Sequence, residues 1–185
     1  VTETLAEMNC TQGGSWGNGG EIVISLRSLR SVPVSGGAQR QVTTLDSAGN
    51  ESHGWPALLP DGKHFLYLAR TYGSQQSMGE IRVGSMDGNT VRPLFASNSA
   101  AAWSPTGHIV WWHGGNLRAQ RFDAERLEMV GEAFALIPDV SFVPGKGFAA
   151  VSLSANGHLV YQQGGTVAEN ELVWLDRSGK EVGRV

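Results

Sequence analysis

The chain has 185 residues, 41% of them hydrophobic, with 25 glycines and a formal net charge of -3 from 14 basic and 17 acidic residues. That length supports one sizeable core, and a near-balanced charge with no basic run argues against nucleic-acid binding. No apolar run is long enough for a transmembrane helix and Val1 to Leu5 do not form a signal peptide, so any address is expected outside this chain.

In chain order, Thr2 to Ala6 reads as an outer strand of a preceding unit. Cys10, the single cysteine, excludes an intramolecular disulfide and reads as a half-buried small residue. From Ser15-Trp16-Gly17 through Gly19-Gly20 to Glu21-Ile22-Val23-Ile24 the pattern is strand, glycine turn, apolar strand. Leu29 to Val34, Ser35-Gly36-Gly37 and Arg40 to Thr43 complete a hairpin pair. The plan returns at Leu58 to Tyr67 around Pro60-Asp61-Gly62, followed by Ile81 to Met86, Asp87-Gly88 and Val91 to Leu94.

It returns again at Trp103-Ser104-Pro105-Thr106-Gly107-His108-Ile109-Val110-Trp111. There Pro105 presets the turn and Gly107 takes the positive φ that a side chain resists. Leu117 to Phe122 follows, and Ala124 to Met129 reads as an insertion forming a helical turn before Glu132 to Leu136. The last copy is Leu153 to Tyr161, then Leu172 to Asp176, Ser178-Gly179 and Glu181 to Val185. The aligned glycines, Gly20, Gly62, Gly107 and Gly157, stand 42, 45 and 50 residues apart, a spacing that suits a four-stranded propeller blade. The expected fold is an all-β propeller of four consecutive four-stranded blades, at 13–45, 53–96, 99–137 and 147–185. The surplus strand at 2–6 points to a segment of a larger ring, whose end blades expose apolar faces and predict either missing neighbouring blades or self-association of the segment.

Gly13-Gly14-Ser15-Trp16-Gly17 matches a nucleophile elbow, but that chemistry needs a helix after the serine, and here a turn into a strand follows. Gly145-Lys146-Gly147-Phe148-Ala149-Ala150 loosely fits a dinucleotide pattern without the helix a phosphate requires. The kinase signatures are absent. His108 and His158 repeat one turn position and so sit too far apart to share a metal; the five histidines read as solvated. Trp16 and Trp103 occupy a core position of the repeat, whereas Trp55 is out of register beside the Asp46 to Gly54 loop and is the better candidate for a surface role, with burial the favoured reading. No catalytic residue, cofactor or metal is expected in the chain.

Propeller geometry gathers the loops Asp46 to Gly54, Thr71 to Gly79, Pro138 to Gly147 and Gly164 to Asn170 on one face. The candidate ligand residues there are His53, Trp55, Tyr72, Gln75, Gln76, Asp139, Phe142 and Lys146, a polar and aromatic mixture suited to a protein, peptide or small ligand.

Trp103 to Gly107, departing only at Thr106 from Trp-Ser-Pro-Asp-Gly, together with Pro60-Asp61-Gly62, resembles TolB-like, WD-repeat-like propeller repeats over the whole chain. Leu29 to Gly37 and Trp55 to Gly62 look closest to the propellers C-terminal to bacterial serine/threonine kinase domains. The resemblance implies a non-catalytic binding or sensing module held outside the cytoplasm by a membrane-anchored kinase. A gating propeller of a peptidase or other hydrolase, and a TolB-like periplasmic interaction scaffold, are the alternatives.

Overall fold

The computed structural model describes residues 12–17, 19–46, 50–72, 77–164, 173–175 and 181–184, with the backbone alone at 77–78, 173–175 and 181–184. The expected strand at 2–6, Cys10, Gln75, Gln76 and most of the 164–170 loop lie outside the described residues.

The described residues form antiparallel sheets whose strands pair in chain order. The first sheet holds β1 (Gly14–Trp16), β2 (Glu21–Ser25), β3 (Leu29–Pro33) and β4 (Arg40–Gln41). The second holds β5 (Glu51–Leu58), β6 (His64–Tyr72), β7 (Ser77–Ser85) and β8 (Val91–Ala96). The third holds β9 (Ala101–Ser104), β10 (His108–His113), β11 (Asn116–Asp123) and β12 (Glu128–Ile137). Three hairpins follow: β13 (Phe142–Val143) with β14 (Phe148–Ala149), β15 (Val151–Leu153) with β16 (Leu159–Tyr161), and β17 (Val173–Leu175) with β18 (Glu181–Arg184). Four sheets of four were expected; the described residues give three, the last unit appearing as the separate two-stranded sheets β15–β16 and β17–β18. No α-helix occurs among the described residues, and none is long and apolar enough to cross a membrane.

The repeat turns behave as their residues dictate. Gly20, Gly62, Gly107 and Gly157 all adopt positive φ, between +65° and +86°. The amides of Gly62, Gly107 and Gly157 each donate to the carbonyl three residues earlier, at 2.9 to 3.1 Å. Asp61 adds a cap: its Oδ1 accepts the amides of Lys63 and His64, both at 2.9 Å, and its Oδ2 lies 2.6 Å from His64 Nδ1. Where Thr106 replaces the aspartate, the hydroxyl instead meets Ser104 Oγ at 2.9 Å and His108 Nδ1 at 3.1 Å.

β6 is buried on both faces, as its unbroken apolar run requires. Phe65, Tyr67 and Ala69 pack with Val23, Leu29 and Val42 of the first sheet. Leu66 and Leu68, one residue out of phase, pack with Ala101, Ile109, Trp111 and Phe122 of the third. Alternate side chains of one strand thus join three sheets.

Two expectations are corrected. Ala124 to Leu127 is a β-turn rather than a helical turn: Asp123 Oδ1 accepts the amides of Glu125 and Arg126, Leu127 turns to φ +56°, and β12 starts at Glu128. Trp16 is not core, being 72% exposed. Its repeat counterpart Trp103 is half-buried against the core shared by the second and third sheets and meets Phe122 edge-on at 6.1 Å.

Candidate functional site

The first strands of successive units converge. Gly13 and Gly14, Pro56 and Ala57, Ala100 to Ala102, and Ala149 with Val151 line one cavity of about 220 Å³. Small side chains make the space, and two aromatic rings border it. Trp55 enters through a bulge in β5, where Gly54 pairs with Leu68 but the next pair is Ala57 with Leu66. Its backbone sits at φ +53°, a region bulky residues rarely occupy. The turned-out indole lies with its centroid 5.2 Å from that of Phe148 and donates from Nε1 to Lys146 O at 2.8 Å. Gly13 is required beneath it: a Cβ there would stand 2.9 Å from the indole, at φ +77°.

The 3-10 turn Pro144–Lys146 forms a strap across this end of the molecule. Lys146 O is held by Trp55, while Arg70, at the far end of β6, donates from Nη1 to Gly145 O and from Nη2 to Pro144 O, both at 3.1 Å. Gly147 closes the strap at φ +66°, where a Cβ would meet Leu68 at 2.8 Å and Asn98 O at 3.1 Å. The Arg70 guanidinium also lies 5.5 Å from the centre of the Tyr72 ring. Burial pushes the Tyr72 phenol up, but hydrogen bonds from Ser52 and Gln12 and the charge of Arg70 outweigh it and hold the phenol below its ordinary range.

A second polar group lies beside the first, between the first two sheets. Glu51 and His53 are 3% and 1% exposed. Glu51 Oε1 accepts from Arg82 Nη1 at 2.9 Å, and Oε2 accepts from the Asp46 amide at 2.9 Å and lies 3.2 Å from His53 Nε2. His53 Nδ1 is 2.9 Å from Thr43 Oγ1, which accepts the Leu29 amide at 2.8 Å. With the threonine hydroxyl donating to Nδ1, the Nε2 proton faces the carboxylate. Burial raises the Glu51 pKa, yet the Asp46 amide and the charges of His53 and Arg82 bring it below the usual carboxylate value. Burial lowers that of His53, against the pull of Glu51.

The sequence-derived candidates therefore separate. His53 is corrected: it is a buried strand residue of β5, closed off by Thr43, Glu51 and the Tyr67 ring 4.8 Å away, and it presents nothing to a ligand. Trp55 and Lys146 meet at the strap. Tyr72 lies beside them through Arg70. Phe142 is half-buried and stacks on Trp112 at 4.0 Å, and Asp139 is exposed at φ +54°. Arg70, Phe148 and the Ala100-Ala101-Ala102 run were not singled out by sequence. Their signals were present: a lone cation closing the apolar run Phe65 to Ala69, and three small residues ahead of Trp103.

Elsewhere, Ser15 lies in β1 with its Oγ accepting the Leu58 amide at 3.0 Å. Among the described residues no three His, Cys, Asp or Glu side chains gather where they could hold a metal ion. No family model, curated protein or solved structure matches the chain.

Proposed function

We propose that the chain is a run of four propeller blades acting as a non-catalytic recognition module, which takes a protein, peptide or small ligand at its loop-rich end. The consecutive antiparallel sheets and the cavity shared by their first strands support the architecture. The observation that carries the function is Trp55. A bulky residue held in the left-handed region costs on the order of 1–3 kcal/mol, and strain of that kind collects at binding sites. Here it sets a half-buried indole between the core it packs against and the edge of an apolar cavity. By its resemblance, the module serves as the extracytoplasmic sensor of a membrane-anchored bacterial serine/threonine kinase; a hydrolase domain in the same reading frame would replace that assignment.

The test is selection of peptides from a displayed random library on the wild-type chain. Ala102→Trp, which fills the cavity, is expected to weaken the selected peptides at least tenfold, while Asp61→Ala at the opposite end leaves them unchanged. Peptides that bind wild type and Ala102→Trp alike, or turnover of ester, peptide or nucleotide substrates by the purified chain, would overturn the reading.

A further inference from the structure

Arg70 is 4% exposed, and no carboxylate among the described residues forms an ion pair with it. Buried arginines are ordinarily paired, because the cost of removing a charge from water is recovered only by an opposite charge or a full set of hydrogen bonds. Arg70 has neither. Its Nε lacks a hydrogen-bond partner among the described residues. Its two terminal nitrogens are met by the neutral carbonyls of Pro144 and Gly145, one on each arm at 3.1 Å. Two oxygens on the two arms of a guanidinium is how a carboxylate binds, and the charged version is about twice as strong as the neutral one. The strap carbonyls stand in for a carboxylate.

The third successive carbonyl, Lys146 O, is taken by the Trp55 indole at the edge of the cavity. A 3-10 turn rises about 2 Å per residue, so the cation and the aromatic wall are one residue's reach apart. The cavity, at about 220 Å³, is smaller than the roughly 300–1,000 Å³ of sites for whole drug-sized molecules. It is the size for one side chain.

We infer that Arg70 and the cavity beside Trp55 form a site for a carboxylate whose own residue carries an apolar side chain, such as a peptide C-terminus ending in an apolar residue, which displaces the Pro144–Lys146 strap. The inference rests on the loop-end reading above and gives it a ligand class. The incoming carboxylate takes both guanidinium arms, and its apolar group enters the space that the small residues of the first strands leave. Displacement frees the Trp55 indole N–H from Lys146 O.

The experiment is an NMR titration of the whole chain with N-acetyl-L-leucine and N-acetyl-L-leucinamide. It follows the Trp55 Nε1–H resonance, identified by its loss in Trp55→Phe, and the Arg70 Nε–H. The acid is expected to move both resonances and to bind roughly tenfold more tightly than the amide, the scale set by a charge-assisted bidentate contact. Arg70→Gln is expected to erase the preference. Gly147→Ala, which pushes the strap off Leu68 and Asn98, is expected to tighten acid binding and leave the amide unchanged. Equal affinity of acid and amide overturns the Arg70 assignment while leaving loop-end binding standing, as does a preference that survives Arg70→Gln. Absence of any shift with the acid overturns the assignment as well, and weaker or unchanged acid binding in Gly147→Ala overturns displacement of the strap.

Discussion

The second sheet is packed on both faces, and the two faces are built from opposite materials. Toward the third sheet the buried side chains are apolar, with an Arg92–Glu128 ion pair only at the exposed edge: Leu66, Leu68 and Ile81 meet Ile109, Trp111 and Phe122, with the rings of Phe95 and Trp111 4.5 Å apart. Toward the first sheet Phe65, Tyr67 and Ala69 meet Val23, Leu29 and Val42, but the seam also encloses Thr43, Glu51 and His53. An apolar seam is stabilised by volume filled and area removed from water, with little demand on angle. A polar seam is stable only when each donor and acceptor is met, so bonds such as Leu29 N to Thr43 Oγ1 at 2.8 Å fix one alignment of β3, β4 and β5. One strand, β6, therefore sits between an interface whose buried side chains do not titrate and one that encloses the titratable Glu51 and His53.

The apolar seam gives the largest effect. Trp111→Ala removes a nearly buried ring from the centre of the seam and leaves a cavity, at an expected cost of about 3–5 kcal/mol. Urea unfolding at pH 7.5 and at pH 5.5 should give the same loss, because none of its neighbours in that cluster titrates. A loss under 1 kcal/mol, or one that changes with pH, would mean that the two seams are not distinct.

The polar seam is sharpened by a substitution that conserves shape. Thr43→Val keeps the volume but leaves the Leu29 amide and His53 Nδ1 without their shared partner, and an orphaned buried group costs roughly 1–3 kcal/mol. The expected loss in the same urea experiment is smaller than that of Trp111→Ala. Stability equal to wild type would show that the hydroxyl does not connect the two sheets.

What could be seen in the sequence follows the same division. The turn glycines, the Asp61 cap and the apolar strands such as Phe65 to Ala69 depend on local chemistry, and local chemistry is what a sequence displays. Thr106 read as a minor departure from the turn motif, and Gly107 does hold its turn, at φ +80°. The segment Glu51-Ser52-His53-Gly54 read as loop because it carries no large apolar residue. It is strand because Arg82 and Thr43, from elsewhere in the chain, meet the buried Glu51 carboxylate and His53 Nδ1, a long-range circumstance no local pattern reveals. Trp55 was visible as out of register, yet the bulge that turns it to Lys146, 91 positions away, was not. Arg70 shares the difficulty, since its partners are carbonyls at 144 and 145, and backbone groups have no signature in sequence.

The smallest expected effect is the pH response of the polar seam, and its sign is fixed by the directions of the two shifts. His53 ionises less readily in the folded chain than its ordinary value of 6.5. Below that value the unfolded chain binds the proton first, so stability is full above about pH 6.5 and is lost as pH falls toward the folded value. Glu51 is also held below its ordinary value of 4.5, so its contribution persists above that pH and is lost only in stronger acid. The unfolding free energy should thus decline in two steps on acidification, the upper one belonging to the histidine. His53→Gln, which cannot titrate, should remove the upper step and keep the lower, while Glu51→Gln should deepen the upper step, since the carboxylate opposes the depression of the imidazole. A flat wild-type profile between pH 7 and 5.5, or a decline that survives His53→Gln, would detach the response from this seam. The Trp111→Ala variant supplies the reference: with its polar seam intact it should show the same two steps from a lower baseline.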